Sequence, residues 1–301
     1  MTASTETLAP HKVRPFYWSL RRELWENRAI YLAPLAVAAV VLAGFLFSVR
    51  FMPHFLQVGA TAVPHSPLAK QAHFATDAPF GIAASAVMVT ALIVGAFYAL
   101  GALHGERRDR TILFWKSLPV SDLVTVGSKA ATALVILPIA GMVIAVATLL
   151  VMLAIAAVVL SASGVDMGLL TARLHPGVLL VVVPYGMAVV SLWYAPIVGW
   201  LMVISAWAKR MTFVWAVAPP AALCIFERIA FGSTYVWRFL LHRLAGGFEL
   251  GFKVKGDQMI TSLDALDPMA VITSVEVWGG LVFLAACLAL CVWLRRRRDP
   301  I

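Results

Sequence analysis

Six strongly apolar stretches without a charged side chain punctuate this chain: residues 29–49, 78–105, 130–165, 174–208, 211–226 and 277–294. A helix needs roughly 20 apolar residues to cross a bilayer core, so each stretch is predicted to hold one span. The apolar–polar alternation that marks a transmembrane strand is absent over these lengths. The third stretch is the longest. At about 1.5 Å per residue it would extend roughly 54 Å against a core of about 30 Å. A hairpin there would move Lys209, Arg210 and the terminal run Arg295, Arg296, Arg297 and Arg298 away from the other basic segments. One long or tilted helix is predicted instead. The expected fold class is all-α: a polytopic membrane protein with six transmembrane helices in a single domain over residues 1–301.

The polar segments between the spans carry patterns of their own. In 15–28, Phe16, Tyr17, Leu20 and Leu24 fall on one helical stripe, while Ser19, Arg22, Glu23 and Glu26 lie opposite and Trp18 and Trp25 flank it. This predicts an amphipathic helix lying in the membrane interface; the plainer reading is a basic flank with belt aromatics. The first 28 residues have no apolar core of a cleavable signal, so the first span is expected to act as an uncleaved anchor. Residues 52–79 are expected to form a short loop. Its His54, His65 and His73 match no compact metal-ligand spacing and read as solvated loop residues. In 104–122 a dense charge cluster precedes Ile112, Leu113, Phe114 and Trp115. Pro119 disfavours helix at the residue before it, and Ser121 is placed to cap the third span with Asp122 in its first turn. This segment reads either as a short helix that docks another protein or as a charged loop that sets topology. The segment 232–274 is the largest loop. Its residues 235–244 predict an amphipathic interfacial or re-entrant helix.

Composition sharpens the picture. Hydrophobic residues make up 61% of the chain and charged residues 13%, and mean hydropathy is +0.89. That excludes a soluble enzyme and a disordered chain, and three cysteines are too few for a disulfide framework. The net charge of +9 could point to nucleic acid. With both termini cytoplasmic, however, the cytoplasmic segments hold sixteen of the 24 basic residues and carry the whole excess, which is the pattern that sets membrane orientation. No nucleic-acid partner is expected; the lipid bilayer is.

Catalytic signatures are missing. No lysine follows a glycine, so there is no phosphate-binding Gly-Lys-Ser/Thr loop, and neither a His-Glu-x-x-His pair nor a Gly-x-Ser-x-Gly elbow occurs. The chain is not expected to be an enzyme by itself. Cys224, Cys287 and Cys291 lie in apolar spans, and the last two read as packing residues on one helix face. Glu227 and Arg228 end the fifth span. They read either as a functional pair near the outer edge of the membrane or as a snorkelling pair at its surface; Glu276 is a weaker candidate. Pro138, Pro184, Pro196 and the pair Pro219–Pro220 fall inside spans, where a proline frees backbone carbonyls and kinks a helix.

The order Leu103-His-Gly-Glu106-Arg107-Arg-Asp109-Arg-Thr111, then Leu118-Pro119-Val-Ser121, then Lys129 opening the third span, resembles the type-2 permease family of ATP-binding-cassette exporters. The motif covers about residues 98–130; the six spans, interfacial N-terminal helix and large last outer loop extend the likeness in architecture to most of the chain. The resemblance implies a permease half that binds no cofactor directly and works with separate ATPase subunits, which would carry ATP and magnesium. A second permease half, identical or not, would complete the membrane unit, and lipids, peptides or hydrophobic compounds would be moved. It implies a coupling helix within 106–117. Glu106, Arg107, Asp109 and Arg110 would make polar contacts with the ATPase, and Phe114 and Trp115 would be apolar anchors. It places Glu227 and Arg228 near the outer exit, and the chain in a plasma membrane such as the bacterial inner membrane. A non-transporting scaffold or regulator that recruits a cytoplasmic partner through the same loop is the alternative.

Overall fold

A computed structural model describes residues 15–63, 66–109, 111, 120–253 and 262–297. The described residues are helical throughout, apart from turns and one isolated antiparallel bridge between Phe252 and Leu266. Six helical segments are long and apolar enough to cross a membrane. In chain order the helices are α1 (Pro15–Glu26), α2 (Ala29–Ser48), α3 (Met52–Thr61), α4 (Pro67–Ala102), α5 (His104–Arg108), α6 (Asp122–Ala131), α7 (Leu137–Ala162), α8 (Met167–Leu174), α9 (Pro176–Trp207), α10 (Thr212–Phe231), α11 (Tyr235–Ala245), α12 (Pro268–Thr273) and α13 (Val275–Arg297).

The third span is one continuous element, as its pattern predicts. α6 runs into α7 through a π-helical turn, Thr132–Ile136, in which the Leu137 amide bonds back five residues to the Thr132 carbonyl. Pro138 follows directly. It has no amide to give an α-helical ladder, and the wider turn just before it accommodates that loss. Ser121 caps α6 as expected: its hydroxyl accepts from the Val124 amide at 3.3 Å. Most of the expected loop at 52–79 is instead helical among its described residues. α3 continues α2 after a single 3-10 turn, and α4 starts at Pro67 with the Ser66 hydroxyl accepting from the Ala69 amide at 3.2 Å. Polar residues there mark a helix outside the apolar band, not a break; proline at the first helical turn and a serine cap are start signals.

Helix lengths divide the molecule into two storeys. The α6–α7 segment has 41 residues, about 60 Å, whereas α10 has 20, about 30 Å. One core joins Tyr98, Leu103, Val126, Leu137, Met202 and Cys291 and draws mainly on α4, α6, the start of α7, α9 and α13. The other joins Phe45, Leu56, Phe80, Met152, Leu160 and Leu170 and is built by α2, α3, α4, α7 and α8 with the first part of α9. Cys287 and Cys291 are buried in the first core, in keeping with a packing role. α10 stands apart, burying only Ala216 and Glu227.

Candidate functional site

Charged residues from four distant parts of the sequence meet at one end of the bundle. Glu23 of α1 is 1% exposed. Its carboxylate accepts from the Lys129 ammonium at 2.9 Å, the Tyr98 hydroxyl at 2.7 Å and the Arg22 guanidinium at 2.8 Å. Glu106 of α5, also buried, faces Lys129 at 3.2 Å and Arg22 at 3.3 Å and accepts a short hydrogen bond from Arg295. Arg295, at the end of α13, reaches Asp122 at 2.9 Å with its other face. Three carboxylates and three cations thus neutralise one another. Burying unpaired charges would be costly; pairing each with several hydrogen bonds makes the burial tolerable. Burial alone would push the Glu23 carboxyl up. The Lys129 charge, with hydrogen bonds from Lys129, Tyr98 and Arg22, reverses this and holds it below the usual carboxylate range.

The cluster sits on a break in the fourth helix. The chain leaves α4 at Leu103, and the amides of Leu103 and His104 donate instead to the Ser205 hydroxyl at 3.0 and 2.9 Å. Arg107 is buried too and donates to the Ala206 carbonyl at 2.6 Å and the Ala208 carbonyl at 3.4 Å. A cation on the last carbonyls of α9 also complements that helix's dipole. Arg295 bonds both Glu106 and Asp122, so one guanidinium staples the two ends of the segment 106–122.

These positions refine the sequence reading. Glu106 and Arg107, expected to face an ATPase, are spent inside the chain. Asp109 is exposed and pairs with its exposed neighbour Arg108 at 2.9 Å. Arg110, Phe114 and Trp115 lie outside the described residues. α1 is helical as expected; Glu23 on its polar side is buried against the bundle, while Tyr17, Trp18 and Trp25 are exposed. Arg21 lies over the rings of Trp18 and Trp25, with its guanidinium carbon 5.4 and 4.6 Å from their centroids. Glu23, Lys129 and Arg295 were not among the candidate site residues read from sequence. The available signal was Lys129: a lysine inside the apolar start of a span needs a counter-ion, and its partner had to come from elsewhere in the chain.

The second candidate pair is spent locally. The Glu227 carboxylate accepts from the Ser233 hydroxyl at 2.5 Å and from the Tyr235 and Val236 amides at 2.7 and 2.8 Å. It therefore caps the start of α11. Arg228 donates to the Gly232 carbonyl at 2.9 Å within the same turn. α11 then returns along α9. Arg243 lies over the Trp193 ring at 4.5 Å, the Trp193 indole donates to the Arg243 carbonyl at 2.8 Å, and His242 meets Glu276 at 3.0 Å. Gly247 permits this approach, since a side chain there would meet Trp193 at 2.6 Å. Among the described residues no group of three or more metal-ligating side chains occurs, and His54 stacks edge-on with its neighbour Phe55.

Compared with known families, characterised proteins and solved structures, the chain matches no family model, no curated protein and no solved fold.

Proposed function

We propose that this chain is the membrane-spanning permease subunit of an ATP-driven exporter, with its charged end in the cytoplasm and its engine on a separate ATPase. The observation that carries the reading is the staple at 106–122. The segment that resembles a coupling helix begins and ends on one buried guanidinium, Arg295, which also belongs to the last span. A push on that segment would reach α1, α6 and α13 through shared ion pairs rather than dissipate in a free loop. In this reading Glu106 and Arg107 anchor the segment, while Asp109, Arg110, Phe114 and Trp115 contact the ATPase. The outward aromatics of α1 would lie at the headgroup level, where tryptophan and tyrosine are favoured. The reading also includes a second permease half.

The test is recovery of an ATPase with the tagged full-length chain from its native membranes. Trp115→Ala combined with Asp109→Ala should abolish that recovery while leaving the thermal stability of the chain unchanged. Equal recovery with wild type and variant would sink the proposal. ATPase recovery with no movement of any compound in sealed vesicles would select the scaffold reading.

A further inference from the structure

A cavity of about 360 Å³ lies between α4, α7, α9 and the tip of α11. Among its lining residues are Gly95, Ala133, Pro138, Ser191, Tyr194 and Leu244. The π-helical turn before Pro138 borders the cavity, and Gly95 of α4 and Ala133 within that turn are too small to fill the space between them and α9. A methyl group on Gly95 would make only ordinary contacts, 3.9 Å to the Ala133 carbonyl and 4.0 Å to Leu137. The volume falls within the roughly 300–1,000 Å³ range of small-molecule sites.

The lining decides what fits. No ionisable carboxylate or amine lines it. Its two hydroxyls are committed: Ser191 donates to the Met187 carbonyl at 2.7 Å, and Tyr194 donates to the Leu244 carbonyl. Water needs two to four polar partners and finds few here, so the space suits an apolar occupant. Val89 and Ile93, also on the lining, are exposed at the surface of α4 and mark a side opening. The α9 part of the lining, Met187 to Leu201, lies roughly 10–30 Å from the charged end of that helix, the depth of acyl chains in a bilayer.

We propose that this cavity is a binding site for a single lipid acyl chain, admitted sideways from the bilayer past Val89 and Ile93. The site rests on the membrane placement proposed above but not on coupling to an ATPase. It is tested with the full-length chain in phosphatidylethanolamine–phosphatidylcholine vesicles carrying a photoreactive diazirine on one acyl chain. After irradiation, the labelled residues are mapped by mass spectrometry. Label is expected on the lining residues Ala96, Leu134, Ser191 and Val198, and on the outward residues Val40, Val143 and Val282, which report contact with the bilayer. Gly95→Leu should lower the cavity label about tenfold, the equivalent of two lost buried methylene groups, and leave the outward label unchanged. Ala133→Leu fills the same space from the facing helix and should act alike; the wild-type map needs neither variant. Outward label without cavity label overturns the site. So does cavity label that survives in both folded leucine variants. Absence of label everywhere overturns the membrane placement and the site together.

Discussion

Two groups of charged residues stand at the ends of spans, and they are held in opposite ways. Arg22, Glu23, Glu106, Asp122, Lys129 and Arg295 pair across as many as 189 residues and complete one another's charges. Glu227 and Arg228 find every described partner within nine residues. The first arrangement ties α1, α5, α6 and α13 into one unit, so a change at any member is felt by the others. The second closes a turn and starts a helix; it has no described link to the body of the bundle. In sequence both groups are charges flanking spans, yet only the first ties several spans together.

Lys129→Met should break the contrast most strongly. It leaves Glu23 and Glu106 short of a buried counter-ion and should cost about 3–5 kcal/mol, read as a large fall in melting temperature of the detergent-solubilised chain. Adding Glu23→Gln restores the charge balance and should recover on the order of 1–3 kcal/mol of that loss. Additive losses would mean that the two groups do not sense each other. A smaller effect follows from pH. Because the folded Glu23 carboxyl lies below its ordinary value of 4.5, its contribution is fully present above that value. It drains away as pH falls through the lower folded value. Melting temperature scanned from roughly pH 7 down to pH 3 should drop more steeply for wild type than for Glu23→Gln; parallel curves would remove Glu23 from the network. The smallest effect belongs to the other end. Glu227→Ala should leave the melting temperature unchanged within error but speed hydrogen exchange at the Tyr235 and Val236 amides, which lose their cap. Faster exchange around Lys129 in that variant would erase the distinction between the two groups.

Much of the architecture was legible in the sequence because it follows from local rules. A run of apolar residues of sufficient length becomes a helix whatever surrounds it, since backbone groups in such a run must bond within the segment. Ser121 capped where its position before Asp122 indicated, and α11 spans the expected amphipathic stretch. The reading failed at 52–79, where polar composition was taken for a loop although Ser66 and Pro67 announce a helix start. It left open which face of α1 meets the rest of the chain. Periodicity separates an apolar from a polar face, but it does not say which face turns inward. A polar face can be the buried one when Lys129 and Tyr98 wait there to receive Glu23.

The sequence by itself determined six membrane-length helices, their order and the basic excess of the segments that meet at one end, because length, apolarity and charge act residue by residue. Only the tertiary structure decided that Glu106 and Arg107 are consumed inside the chain, that Arg295 clasps both ends of the 106–122 segment, that Glu227 is a helix cap, and that a cavity lies between Gly95 and the π-turn before Pro138. Those facts depend on which charges and volumes meet in space, across gaps from nine residues at Glu227 to 189 at Arg295. Coulomb attraction and packing act through space, and no spacing along a sequence encodes that distance.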